Sequence, residues 1–184
     1  EETAVCNLAS ISLPSCLEHQ DISNLDLTIY SKPDCCYCEY AEKLCNSLNI
    51  KYKKVDYQEM KTFDGITFPQ IYNNENDLIG GYMDLVDKLK PTYNYQKLKN
   101  LSKVLTYNLN KIIDYNYYPI PETERSNLRH RPIGLGVQGL ANVFYEMKFS
   151  FGSDESKEMN KKVFESIYYG SLEASMEIAR ERQI

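Results

Sequence analysis

Cys35 and Cys38, in the run Asp34-Cys-Cys-Tyr-Cys38, are the residues of this chain whose type and spacing best suit chemistry. Two thiols separated by two residues can close into a disulfide and open again, which makes the pair a candidate dithiol redox site. A short β-like run, Leu27-Thr-Ile-Tyr30, precedes it, and a helical pattern follows. Ala41, Leu44, Cys45 and Leu48 are apolar at i, i+3, i+4 and i+7, with Glu39, Glu42 and Lys43 between them. Cys35 therefore falls at or just before a helix N-terminus. Unpaired backbone N–H groups and the positive end of the helix dipole favour thiolate there, and in C-x-x-C sites the thiol pKa falls from about 8.5 to roughly 3.5–7.5. Cys35 is the expected nucleophile and Cys38 the resolving thiol.

Two other uses of the cysteines fit less well. A structural zinc site takes four ligands in paired clusters, and this chain has no second C-x-x-C and only His19 and His130 as imidazole donors. Cys35, Cys36, Cys38 and Cys45 would have to close a site among themselves, and adjacent cysteines make poor tetrahedral geometry. Six cysteines in 184 residues are too sparse for a disulfide-stapled scaffold, and the chain shows no signal peptide.

Further motifs follow the dithiol. After a second β-like run, Ile50 to Asp56, come Thr67-Phe68-Pro69-Gln70-Ile71 and then Gly80-Gly81-Tyr82-Met83-Asp84. In this order, Y-S-K-P-x-C-x-Y-C, T-x-P-Q-I and G-G-x-x-D, the segment resembles the glutaredoxin family over about residues 25–90. The resemblance implies a thioredoxin-like fold, a cis proline at Pro69 facing the dithiol, and glutathione as reductant. It also implies that Lys32, Tyr37, Thr67, Phe68, Pro69, Gly81 and Asp84 hold glutathione, with Lys32 facing a carboxylate. An unpaired Phe68 backbone would bond an extended thiol substrate as an added strand does. Gly80-Gly81 lets the chain approach a ligand closely, and Asp84 stands where an acid could meet an amino group at a helix start.

Two departures from that pattern bear on chemistry. Cys36 takes the place of the proline usual between the active cysteines, so a third thiol is available to form competing disulfides or to be glutathionylated. The connection from Asp56 to Thr67 is short and contains Gly65, which predicts a turn or a single helical turn in place of a full helix.

The flanks carry a different pattern. Glu2 to Pro14 reads as an apolar strand closed by proline, with Cys6 in its middle; taken alone, such a cysteine is a small buried hydrophobe. Tyr95, Leu98, Leu101, Val104, Leu105, Leu109, Ile112 and Ile113 keep helical spacing up to Asp114, after which Pro119 and Pro121 forbid continuation. The run from Arg131 to Ala141 leads into a helix with Val143, Phe144 and Met147. A last long helix begins near Ser153 and runs through Met159, Val163, Phe164, Ile167, Leu172 and Met176.

With the middle removed, these flanks join into one resemblance. A-V-C-N-L-A-S-I at the start, N-L-N-K-I-I-D-Y-N-Y-Y-P from Asn108, R-H-R-P-I-G-L-G-V-Q-G-L-A from Arg129 and F-E-S-I-Y-Y-G-S-L-E-A-S from Phe164 are similar to the large-subunit family of class I ribonucleotide reductases. It covers about residues 1–18 and 92–184. The resemblance implies a fragment of a much longer subunit, with a radical-bearing cysteine just upstream of Glu1. It gives Cys6 a catalytic role, as one of two thiols that reduce the ribose 2′ position and become a disulfide at each turnover. It further implies a nucleotide substrate, a small radical-generating subunit, and a C-terminal cysteine pair on the remainder of the large subunit. Cys16 and Cys45 match no such role and read as structural.

Gly134-Leu-Gly136-Val-Gln-Gly139 satisfies G-x-G-x-x-G, but a dinucleotide site needs a preceding strand and a downstream acidic strand end. A basic, proline-containing turn precedes it here, so the glycines read as close packing at a helix start. Asn100-Leu-Ser102 matches the glycosylation sequon inside a predicted helix and carries no weight. A net charge of −5 with 26% charged and 42% hydrophobic residues describes a soluble globular chain without a bilayer-spanning run, expected in the cytoplasm. Direct nucleic-acid binding is not expected, because Lys51, Lys53, Lys54 and the cluster from Arg125 to Arg131 are local basic patches on an acidic chain.

The expected architecture is α/β: a thioredoxin-like (glutaredoxin) domain at 25–90, inserted into a helix-rich piece of the reductase α/β barrel that supplies 1–24 and 91–184. The insert either passes electrons to its host or is a redox-inactive docking module.

Overall fold

The computed structural model describes residues 2–60 and 67–182. Its contacts divide the chain into two units, one made of Glu1–Glu18 with Thr92–Ile184 and the other of His19–Pro91. The sequence expectation placed the two junctions at 24/25 and 90/91.

The first segment holds β1 (Asn7–Ser12), a 3-10 turn (Leu13–Cys16) with Pro14 in its first turn, and β2 (Leu17–Glu18). Cys6 is exposed and lies just before β1, not in the middle of a strand, and it is not the buried hydrophobe expected of it in isolation. The chain up to Asn7 lacks the alternation that buries a strand face, whereas Ile11 is 3% exposed.

In the second unit β3 (Asp26–Ser31) is followed by α1 (Cys36–Ser47), β4 (Lys51–Asp56), a 3-10 turn (Tyr57–Glu59), β5 (Gln70–Tyr72), β6 (Leu78–Gly80) and α2 (Tyr82–Lys88). The strands form one sheet in the order β4-β3-β5-β6, with β3 parallel to β4 and antiparallel to β5. Period-two alternation on β3 buries Leu27, Ile29 and Ser31 on one face. Ile29 pairs with Ile71, and both pack against Ala41 and Cys45 of α1 and Leu85 of α2. The expected single turn after Asp56 corresponds to Tyr57–Glu59; Gly65 lies outside the described residues. The parallel β3-α1-β4 unit aims the C-terminal end of β3 at the start of α1, which is where the dithiol sits.

The chain then returns to the first unit through β7 (Thr92–Tyr93), antiparallel to β2, and enters α3 (Tyr95–Tyr115). Asn94 starts α3 by accepting from the Lys97 N–H at 2.7 Å. Next come α4 (Pro121–His130), β8 (Ile133–Gln138), α5 (Leu140–Glu146) and α6 (Asp154–Glu181), the last capped by Ser153.

Two elements here differ from expectation. Pro121 does not merely end a helix; it is the first residue of α4, where its missing N–H costs nothing. Glu122 and Glu124 in the first turn and Arg129 and His130 in the last complement the α4 dipole. The glycine run expected to pack closely at a helix start lies mostly in the strand β8, parallel to β1 with Asn7 opposite Ile133. Gly134 and Gly136 therefore lie within a strand, and only Gly139, at φ +79, stands at a helix start. A side chain at Gly134 would meet Leu8 Cδ2 at 2.5 Å, and one at Gly139 would meet Pro14 Cδ at 2.6 Å. The glycines thus serve close packing, chiefly strand against strand.

The α6 face that packs is also narrower than the apolar pattern suggests. Met159, Val163, Ile167, Gly170, Ala174 and Ile178 are buried, while Phe164, Leu172 and Met176 are each close to half exposed. Gly170 is required at the crossing with α3, because a Cβ there would lie 2.5 Å from the Lys99 carbonyl oxygen. Among the described residues no helix is long and apolar enough to cross a membrane.

Candidate functional site

Asp34 adopts φ +54, a left-handed conformation that Asp tolerates better than most residues, and turns the chain out of β3. The next residue, Cys35, becomes the N-cap of α1. Its sulfur accepts from the Cys38 N–H at 3.4 Å and from the Cys38 thiol at 2.7 Å. Two donors from Cys38 thus converge on one sulfur. The Phe68 carbonyl oxygen lies 3.7 Å from the same sulfur and accepts a hydrogen bond from its S–H when the thiol is protonated. The Phe68 backbone, expected to be unpaired, is accordingly engaged with Cys35.

Cys38 is 2% exposed. Burial, and next its hydrogen bond to Cys35, push its thiol up to about 11. At neutral pH it is a protonated donor held against Cys35. That division of labour, a partly exposed sulfur supported by a buried thiol, is what a nucleophile and a resolving group require.

The remaining predicted residues gather around Cys35. Lys32, Cys36, Tyr37, Thr67, Phe68, Gly81 and Asp84 line one cavity of about 450 Å³ with it. Pro69 is buried beneath, and its peptide bond with Phe68 is cis. Asp84 does not simply project toward a ligand: its Oδ2 accepts from the Gly81 N–H at 2.7 Å and so caps α2. Gly80, at φ +126, sits where any side chain would overlap that carboxylate. The double glycine therefore sets the α2 start and leaves the cavity open on that side.

Asp34, Tyr82 and Met83 line the cavity as well, without having been foreseen. Tyr82 closes a ring cluster with Tyr37 and Tyr40, at centroid separations of 6.2 and 5.8 Å. A double glycine followed by an acid gave no hint that the two residues between would form the cavity wall.

Cys6 belongs to the other unit and has a sparser setting. Among the described residues its thiol makes one hydrogen bond, to the Asn7 carbonyl oxygen at 3.8 Å. Gly134 of the neighbouring strand leaves the thiol uncovered; a Cβ there would stand 3.5 Å from the Cys6 sulfur. Asn116 Nδ2 donates to Asn7 Oδ1 at 3.3 Å and ties the strand start to the end of α3. Cys16 and Cys45 are both 0% exposed, in the cores of their respective units, where neither is positioned to exchange. No described group of three or more His, Cys, Asp or Glu is arranged to hold a metal ion.

A family model described as ribonucleotide reductase, barrel domain, matches residues 75–184. The large chain of ribonucleoside-diphosphate reductase from Schizosaccharomyces pombe is 59% identical over 88 residues, 48% of this chain and 11% of that protein. The Variola virus large subunit is 60% identical over 89 residues, 48% of this chain and 12% of its own length. The corresponding subunit of Acanthamoeba polyphaga mimivirus is 52% identical over 100 residues, 54% of this chain and 11% of its own. The chain thus spans about an eighth or less of the length of these relatives. Among solved structures, glutaredoxin 1 from Francisella tularensis complexed with cacodylate is 28% identical, with 33% of this chain and 87% of that one covered at a TM-score of 0.27. On the match across residues 75–184, the chain belongs to the ribonucleotide reductase barrel-domain family.

Proposed function

We propose that this chain is part of a ribonucleotide reductase large subunit, converting ribonucleoside diphosphates to deoxyribonucleoside diphosphates, and that it carries an inserted dithiol glutaredoxin domain serving that reductase. Family membership and the identity to large subunits support the first half. The observation that carries the second is the Cys35 sulfur, held at a helix start by two donors from Cys38 inside a cavity lined by Lys32, Thr67, Phe68, Gly81 and Asp84.

The exchange runs in two halves. The Cys35 thiolate attacks a host disulfide, forming a mixed disulfide and releasing one host thiolate, which takes a proton. Cys38 then loses its proton and attacks the Cys35 sulfur, so that the second host thiol leaves and the Cys35–Cys38 disulfide closes. Two molecules of glutathione reduce that disulfide and leave joined as glutathione disulfide, restoring both thiols. Burial holds Cys38 protonated at neutral pH, so the second attack requires removal of its proton.

Lys32 would hold a glutathione carboxylate and Asp84, beside the Gly81 N–H, its amino group. Pro69 and Phe68 would form the floor and Thr67 and Tyr37 the rim. In the host, Cys6 acts as one of the two thiols oxidised when the ribose is reduced, and the other, with the C-terminal cysteine pair and the small radical-generating subunit, comes from beyond these residues. Carrying the domain on the same polypeptide would raise its effective concentration into the millimolar range where linkers let the groups meet.

Glutathione-dependent reduction of a small mixed disulfide by the whole chain tests this, beside Cys35→Ser and Cys36→Ser. Activity lost with Cys35→Ser and retained with Cys36→Ser is expected. A folded chain with no activity would overturn electron delivery and leave the insert as a docking module.

A further inference from the structure

The exchange above leaves one thiol of the cavity unused. Cys36 is exposed and lines the same cavity of about 450 Å³ as Cys35. We propose that Cys36 is a glutathionylation site through which an oxidised glutathione pool shuts the dithiol off. The proposal rests on the reading of this cavity as a glutathione site.

The geometry distinguishes a glutathione carried on Cys36 from one carried on Cys35. A group on Cys35 faces the Cys38 sulfur, 2.7 Å away, and is displaced within the chain. A group on Cys36 has no such partner. Adjacent residues joined by a trans peptide have Cα atoms about 3.8 Å apart, short of the roughly 4.4–6.8 Å that disulfides span, so Cys35 is badly placed to resolve its neighbour. Cys38 lies two residues along the helix begun by Cys36, and residues so spaced do not face each other. It is also buried and turned toward Cys35. Only a thiol from solution can clear Cys36.

The chemistry balances with glutathione disulfide as oxidant. The Cys36 thiolate attacks one of its sulfurs; the new protein–glutathione S–S bond forms as the old S–S bond breaks, and the departing glutathione leaves as thiolate and takes up a proton. Free glutathione reverses the step by the same attack, so occupancy follows the ratio of glutathione disulfide to glutathione. Pockets of about 300–1,000 Å³ hold one small ligand. A tripeptide anchored on Cys36 therefore fills the space that a substrate of Cys35 needs, in a cavity that Lys32 and Asp84 also line.

The test uses the whole chain, Cys36→Ser and Cys35→Ser, equilibrated at rising ratios of glutathione disulfide to glutathione, alkylated, and mapped by peptide mass. Mixed-disulfide reduction is read in parallel. The expected result is an adduct on Cys36 at high ratios in both the parent and Cys35→Ser, with parent activity falling in proportion to that adduct and returning on treatment with dithiothreitol. Cys36→Ser keeps its activity across the same range. Absence of an adduct at Cys36, or equal loss of activity in parent and Cys36→Ser, overturns the proposal. A chain that carries the Cys36 adduct but shows no exchange at any ratio supports the modification site and overturns the electron-delivery reading instead.

Discussion

In the unit His19–Pro91 every group that handles Cys35 comes from one stretch of about seventy residues, whereas Cys6 stands at the edge of a two-stranded sheet, exposed, with little around its sulfur. Cys35 has a helix start, two donors from Cys38 and a lined cavity. Cys6 has a neighbouring carbonyl and the space left by Gly134. The difference teaches how far a short sequence can specify chemistry. A dithiol at the start of one helix is a device whose contacts and cavity all come from the His19–Pro91 unit. A thiol proposed to meet a nucleotide and a second cysteine would depend on groups outside its own strand, and the residues beside Cys6 show that it is accessible.

The largest effect expected to separate the two units is alkaline unfolding. Burial pushes Cys38 and Cys45, both in the His19–Pro91 unit, up to about 11 from 9.0. The folded state binds these protons more tightly than the unfolded one, so the stability they confer is complete below pH 9.0 and is lost as pH rises through about 11. A thiolate forced into that core would be an uncompensated buried charge. In the other unit the raised groups are the phenols of Tyr93, Tyr95 and Tyr107 and the Lys103 ammonium, whose contributions begin to fade only above 10.0. Denaturant titrations at pH 8 to 11 (a range set by those values), followed by Cys45 alkylation for one unit and Cys16 alkylation for the other, should show Cys45 losing protection first. Simultaneous loss would mean that the units do not unfold separately.

Ile29→Ala comes next. Ile29 is 0% exposed, pairs with Ile71 and lies under α1 and α2, so truncation should cost about 2–5 kcal/mol. Peptide-resolved alkylation against urea should move the Cys45 midpoint down and leave that of Cys16 in place, since Cys16 belongs to the core built on Leu98 and Val163. Mixed-disulfide reduction should fall as the unit unfolds.

The same contrast explains what the sequence made legible. Around the dithiol, the apolar period of α1, the N-cap at Cys35 and the G-G-x-x-D turn are all short-range signals, and of the ligand residues that the family resemblance implies, six line one cavity with Pro69 beneath it. In the other unit the missed elements depend on partners far along the chain. β8 contains Gly134 and Gly136, weak strand formers that read as the approach to a helix until β1, over a hundred residues earlier, pairs with them. α4 was hidden because Pro121 was weighed as a terminator, although the acids after it and the bases at its end already marked a helix starting there. On α6 the large apolar residues drew attention, while Gly170 and Ala174 make the close approach; Phe164 and Leu172 stay exposed. Hydrophobic spacing counts methylene groups and does not register a position where having no side chain is what packs.

Gly170→Ala turns that point into a measurement. The added Cβ would lie 2.5 Å from the Lys99 carbonyl oxygen and 3.2 Å from Ser102 Cβ, contacts that backbone cannot relieve without separating α3 from α6. Overpacking of this kind costs about 1–3 kcal/mol. The Cys16 midpoint should fall by that amount while Cys45 and the exchange assay stay unchanged, the mirror image of Ile29→Ala.

The smallest of these effects, Asn94→Ala, probes where the first unit resumes after the second. Asn94 Oδ1 accepts from the Lys97 N–H at 2.7 Å, its Nδ2 donates to Glu18 Oε1 at 2.5 Å, and its own N–H donates to the Cys16 carbonyl oxygen at 2.9 Å. One residue thus starts α3 and fastens it to the strand end from which the chain departs at His19. Alanine removes the side-chain cap and leaves the backbone bond, so a loss of about 1 kcal/mol is expected. That loss should appear in the Cys16 midpoint alone. If Cys45 moved by the same amount, the start of α3 would be stabilising both units, and the dithiol site would no longer count as a device complete within His19–Pro91. If neither moved, the Asn94–Cys16 backbone bond and β2–β7 pairing would suffice to hold the junction, and the cap would be a feature of local sequence without energetic consequence for either thiol.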